Sequence, residues 1–298
     1  MKLLFMSPIN YQYRKLHLTM LFASVIFANL QCQIIKGKVV DASSNNALEY
    51  ARIGVINTTI GTIANEAGEF NLNIEKSTPS SIVRFSMMGY EPVSLSIGEL
   101  TDKDNIIKLN AKPIQLNEVS VSPNNVLRKV GITSQKNKVG LCGWGGDKRE
   151  RGHEIGSIFD LGNSISRIQK ISFYIDKQSY NSCLLRMHIR SINNGIPDKE
   201  LINENIIFNI SKSSGWIDSD LNKYDIFLKG EVAVTLEWVS ASGVNLNNLK
   251  RMGKDKVKSS VILIPVTKSA DCVYHRWGVE AQWHKTENQS PCMYLTIQ

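Results

Sequence analysis

From residue 34 onward, apolar and polar positions alternate. Ile35, Gly37 and Val39 interleave with lysines, and Ala51, Ile53 and Val55 share one face ahead of a turn at Asn57, Thr58 and Thr59. Phe70, Leu72 and Ile74 follow a second turn at 65–68. The period returns at Val83, Phe85 and Met87, at Val93, Leu95 and Ile97, and at Ile107 and Leu109. A period of two sends successive side chains to opposite sides of a strand, so these runs predict an antiparallel sandwich over residues 33–112.

Residues 113–140 turn to Asn, Ser, Lys and Pro and are expected to connect two domains. Alternation then resumes. Ile171, Phe173 and Ile175 form one run. Leu185, Met187 and Ile189 point one way, while Arg186, His188 and Arg190 point the other. Ile206, Phe208 and Ile210 make a third run. Val232, Val234, Leu236 and Trp238 make a fourth, with Thr235 and Glu237 opposite. An apolar stretch at 257–266 and a terminal one at 292–297 complete about eight strands, which predict a jelly-roll-like sandwich over 141–298. The expected fold class is all-β.

Ahead of the first strand, Arg14 and Lys15 precede an apolar run from Leu16 to Leu30. The run is short for a membrane span and has the layout of a secretory signal peptide over residues 1–32. Cys32 invites a lipidation reading, but Leu30 and Gln31 before it suit that motif poorly. The chain is therefore expected to be exported, to the periplasm or the outer membrane, with no transmembrane segment once the signal is removed.

Charge changes the picture little. The net +8 falls to +5 without Lys2, Arg14 and Lys15, and the remaining basic residues are interspersed with acids. That is a solvated surface, not a phosphate-tracking stripe, so no nucleic-acid partner is expected. Cys142, Cys183, Cys272 and Cys292 are candidates for disulfides in an exported protein, with three pairings open; buried free thiols are the alternative. None shows C-x-x-C spacing, so a zinc site is not expected.

In the first domain, five runs carry a family resemblance: 37–41 (GKVVD), 48–55 (LEYARIGV), Gly61–Thr62, 65–72 (NEAGEFNL) and 83–90 (VRFSMMGY). Together they resemble the carboxypeptidase-regulatory-like domain, which implies a small transthyretin-like β-sandwich, common in exported bacterial proteins and non-catalytic. Ala47 stands where the family often has Pro, and Asn65 where it favours Asp. Gly68 and Gly89 fit turns that need positive φ, and Gly61 fits a bend or bulge. The run 116–121 resembles the link from this domain to the plug of TonB-dependent receptors. The 158 residues after 140 are too few for such a receptor's barrel of about 22 strands. The second domain resembles, more loosely, the C-terminal half of exported bacterial proteins without known activity.

The chemical candidates are few. His153–Glu154 opens an H-E-x-x-H motif, but Ser157 stands where the second histidine is needed. His284 and Glu287 have H-x-x-E spacing with no third ligand in the usual order. Asp218 and Asp220 could line a calcium loop or simply flank a solvated turn. Trp277 and Trp283, read as one face of a strand beside Arg276, could stack on sugar rings; core packing is the expected role, and Trp216 and Trp238 are expected in the core as well. No catalytic, metal or cofactor site is expected. The chain reads as a non-catalytic exported binding or scaffold protein of the cell envelope, its partner an envelope protein or a glycan. The alternatives are a carbohydrate-binding module aiding glycan uptake and a hydrolase with a cryptic site.

Overall fold

The structure, a computed structural model, describes residues 34–75, 77–100, 105–112, 126–145, 150–244 and 261–298. The signal-like run with Cys32, the segment 116–121 and residues 257–260 lie outside them. The chain is all-β, and no helix among the described residues is long and apolar enough to cross a membrane.

Seven strands build the first domain: β1 (Ile34–Asp41), β2 (Arg52–Val55), β3 (Gly61–Ile63), β4 (Glu69–Asn73), β5 (Ile82–Ser86), β6 (Val93–Ser96) and β7 (Asn105–Leu109). They form two sheets, ordered β4-β1-β7 and β3-β2-β5-β6. The period-two residues fill one core, in which Val39, Ala51, Ile53, Leu72, Val83, Phe85 and Leu109 are fully buried. One pairing departs from the antiparallel expectation, since β7 runs parallel to β1. Gly68 and Gly89 adopt φ of 73° and 77°, the left-handed turn geometry their positions predict.

Among the described residues, sixteen strands follow: β8 (Arg128–Gly131), β9 (Lys138–Trp144), β10 (Glu154–Asp160), β11 (Ser166–Ile175), β12 (Lys177–Gln178), β13 (Tyr180–Asn193), β14 (Ile196–Glu200), β15 (Ile207–Ile210), β16 (Gly215–Asp220), β17 (Phe227–Leu228), β18 (Glu231–Val244), β19 (Ile262–Lys268), β20 (Val273–Arg276), β21 (His284–Thr286), β22 (Gln289–Pro291) and β23 (Met293–Ile297). This is twice the expected number: the predicted runs fall on single strands, β11, β13, β15, β18, β19 and β23, and the surplus comes from short strands such as β12, β17, β21 and β22, too brief to show an alternation of their own. The domain also starts earlier than residue 141: β8, inside the expected connector, pairs with β23.

A seven-stranded sheet runs β14-β13-β18-β10-β20-β21, with β15 also on β13. A five-stranded sheet (β16-β11-β23-β8, with β17 on β11) and a four-stranded one (β12-β19-β22, with β9 on β19) complete the domain. Leu185, Met187 and Ile189 of β13, Val232, Val234 and Leu236 of β18, and Ile171, Phe173 and Ile175 of β11 share one core. Trp238 joins it, with the Trp144 ring stacked 6.3 Å away. Trp216 does not. It is half-buried on β16, edge-on to Tyr174 and Tyr294, because its strand turns it away from the core.

The first domain docks on the opposite face of the seven-stranded sheet. Val279, in the loop between β20 and β21, is wholly buried with Ile63 and Val239. Its side chain lodges against Gly54 of β2 and Gly61 of β3, where an added Cβ would lie 3.0 Å and 3.2 Å from it. Gly61 is thus a site of close approach, not a bulge: it pairs regularly with Gly54. Asn57 N–H adds a hydrogen bond to the Glu280 carbonyl (3.1 Å). Gly54→Val suits a strand yet collides with Val279 and the Glu280 side chain, so it should destabilise by about 1–3 kcal/mol. Urea denaturation followed by tryptophan fluorescence would measure this, and an unchanged midpoint would mean that the docking seen here is not maintained in solution.

Candidate functional site

Alternation decides which side chains meet at the docking face. Because Leu185, Met187 and Ile189 face the core, Arg186, His188 and Arg190 face the first domain, and Thr235 and Glu237 of β18 join them. Glu154 comes from β10, which pairs with β18, and Arg276 from β20. On the first domain's side, Arg52 occupies the outward face of β2, between the inward-facing Ala51 and Ile53. All of these residues are buried.

Glu154 is the centre of the cluster. Its Oε1 accepts hydrogen bonds from Arg52 (3.0 Å), from Arg190 (3.1 Å) and from both Nε and Nη2 of Arg276. Its Oε2 accepts from Arg190 (2.6 Å) and from the Thr235 hydroxyl (2.6 Å). Glu237 takes Arg52 Nε at 2.8 Å and Arg186 at 3.0 Å. His188 lies between two acids, with Nδ1 2.8 Å from Glu200 and Nε2 3.1 Å from Glu237. Arg52 and Arg186 also donate to the carbonyls of Val279 and Tyr50, which fastens both domains to the same cluster. Trp283 covers it, its ring 4.7 Å from the Arg276 guanidinium carbon and 5.5 Å from that of Arg190.

Burial alone would raise the carboxyl pKa values, but the surrounding cations outweigh it. Arg190 and Arg276 hold Glu154 well below the usual carboxylate range, and Arg52 and Arg186 do the same for Glu237. Arg190 and His188 bring Glu200 down to about 2. A carboxyl whose folded pKa is depressed contributes stability above its unfolded value of about 4.5, and that contribution disappears as pH falls through the folded value. Stability should therefore hold above about pH 4.5 and fall steeply towards pH 2. Guanidinium midpoints measured across that window would show it; a flat profile would mean the acids are not paired in solution.

Glu154, His188 and Glu237 offer ligand atoms within 4.8 Å of one another, the one such trio among the described residues. They fit a metal poorly. Their oxygens already receive guanidinium hydrogen bonds, and a divalent cation would join four buried arginines. The arrangement can hold two domains in register, with Glu154, Glu237 and His188 wholly buried in it.

The residues singled out by sequence part company here. Arg276 belongs to the buried cluster and Trp283 is its half-buried cover. Trp277 is 41% exposed and is the one exposed aromatic side chain among the described residues. Trp277 and Trp283 do not share a strand face, because a loop separates β20 from β21. The four cysteines are unbonded. Cys142 and Cys292 lie on strands flanking β19, about 9.5 Å apart by strand spacing and beyond disulfide reach. Burial raises their thiols to about 12 and about 11, and that of Cys183 to about 12. Asp218 and Asp220 sit on strand β16, not in a loop, and accept hydrogen bonds from Ser172 and Asn222 respectively. His284 is exposed, and Glu287 pairs with Lys285 at 2.9 Å. Sequence reading missed Arg52, Glu154 and Glu237 as a group. A local signal existed only for their partners Arg186, His188 and Arg190, opposite the core face of β13.

Beside the cluster, a groove of about 1140 Å³ opens between the domains, lined by β3, β4, His153 and Trp277. A smaller one, about 590 Å³, lies near Tyr50, Leu184 and Ser240.

No curated protein matches the chain. Among solved structures it is similar to the cysteine protease and lectin-like domains of Cwp84, a surface layer associated protein of Clostridium difficile, at 11% identity and a TM-score of 0.37. That match covers 90% of this chain and 58% of the other. A second structure, of a variant of the clostridial cysteine protease Cwp84 after propeptide cleavage, aligns at 9% identity and a TM-score of 0.38, covering 90% and 65%. The chain thus spans about three-fifths of the structures it matches. Residues 35–121 match the CarboxypepD_reg-like domain family, as the motifs from Gly37 to Tyr90 implied, and the first domain of this chain is a CarboxypepD_reg-like domain.

Proposed function

We propose that this chain is a non-catalytic binding protein of the bacterial cell envelope, in which two sandwiches act as one rigid body and the groove between them takes the ligand. One observation carries the reading. The densest group of acids with a histidine, Glu154, Glu237 and His188, is fully buried and committed to arginines and to one another. A general acid or base must reach a proton on its substrate, and none of these three can. The cluster's position between the domains suits a different task, fixing the relative placement of the two groove walls. Export rests on the apolar run behind Arg14 and Lys15.

Purified protein incubated with chromogenic esters, glycosides and peptides between pH 4 and 9 should show no turnover. Turnover that disappears in Glu154→Gln, or in any variant of a groove residue, would replace this reading with a hydrolase.

A further inference from the structure

Trp277 stands at the rim of the larger groove, and its surroundings are built to hold it there. His153 meets the indole edge-on at 5.4 Å, and His275, on β20 just before it, lies 4.9 Å away. Burial lowers the pKa of both imidazoles, that of His153 to about 4, so near neutral pH they support the ring as uncharged groups. Gly278, the next residue, lets the backbone of Thr59 approach to where an added Cβ would be 3.0 Å away. The indole is therefore pinned between the two domains while a large part of it stays open.

Facing it is a polar wall. Glu69, Asn71 and Asn73 alternate outward along β4, about 6.6 Å apart, above the buried Phe70 and Leu72. Thr59 and Thr62 add hydroxyls from β3 and its turn. The side chains of Asn71, Thr59 and Thr62 make no hydrogen bond with any described residue, so their donors and acceptors remain for a ligand. Around the rim, the charged groups among the described residues are Glu69, Glu75, Glu150 and Arg151.

We infer that this groove is a binding site for a neutral glycan, an assignment that rests on the non-catalytic reading above. A sugar ring presents an apolar face, which the exposed indole can cover, and an edge of hydroxyls, which amides and threonines can bond. Carboxylates accept hydrogen bonds from hydroxyls but repel uronate or sulfate groups, which selects against acidic polymers. The pinned ring loses little freedom on binding, so less of the contact is spent on ordering.

The test uses affinity electrophoresis of the chain in gels containing soluble β-glucan, xylan, mannan or polygalacturonate, beside Trp277→Ala and Asn71→Ala. Circular dichroism confirms that each variant is folded. Retardation by at least one neutral polymer is expected, weakened about tenfold in Trp277→Ala and several-fold in Asn71→Ala, with none by polygalacturonate. No retardation by a neutral polymer, retardation by polygalacturonate alone, or retardation unchanged in Trp277→Ala would overturn the glycan site and leave the non-catalytic reading standing. A neutral polymer that is bound but shortened, with new reducing ends, would support the site and overturn the non-catalytic reading.

Discussion

Arg52→Met should convert one cooperative thermal transition into two. Arg52 is the first domain's charged contribution to the buried cluster, bonding Glu154, Glu237 and the Val279 carbonyl at once. Without it, both acids keep their burial but lose a cation, at a cost of about 3–5 kcal/mol. That loss falls on docking, because the first domain's own core contains no part of the cluster. Methionine fills similar volume and leaves that core untouched. Differential scanning calorimetry should resolve an early transition for the small sandwich and a later one for the large. A single transition at the original temperature would show that the apolar contact at Val279 suffices for docking.

The second large effect is expected at Glu154. Glu154→Gln keeps the shape but sets an amide N–H₂ among donors, where Thr235 and three guanidiniums need an acceptor. Two costs follow, an unpaired positive cluster and a donor facing donors, together about 3–5 kcal/mol. Since roughly 2–4 °C accompanies each kcal/mol in domains of this size, the melting temperature should fall by about 10 °C. Unlike Arg52→Met, this change weakens the large domain together with the bond from Arg52, so the whole transition should move to lower temperature. A shift below about 2 °C would mean that the arginines find other partners, and the central role given to Glu154 would be wrong.

Much of the fold was legible from periodicity. In β4, Phe70 and Leu72 are buried and Glu69, Asn71 and Asn73 exposed, as alternation requires. In β13 the same rule placed Leu185, Met187 and Ile189 correctly. What it could not give was the fate of the other face. Arg186, His188 and Arg190 look like a solvated side until another domain covers them, and that covering comes from β2, far earlier in the chain. Charge pairing between distant strands leaves no local spacing to recognise, which is why Arg52 and Glu237 went unread. Trp277 and Trp283 failed for a different reason. Their six-residue separation is as compatible with the two ends of a loop as with one strand face, and here the chain turns at Gly278.

The lodging of Val279 between Gly54 and Gly61 bears on how this chain could have been assembled. Small sandwiches of the first domain's kind are easily imagined as interchangeable beads on a string. Here the bead is keyed. A donor domain with any side chain at either glycine would meet Val279 at about 3 Å, and one lacking Arg52 would leave two buried carboxylates short of a cation. Recombination that swapped the first domain alone would thus yield a chain whose parts fold but do not seat. The two domains of this protein can be inherited, or grafted by design, only as a matched pair.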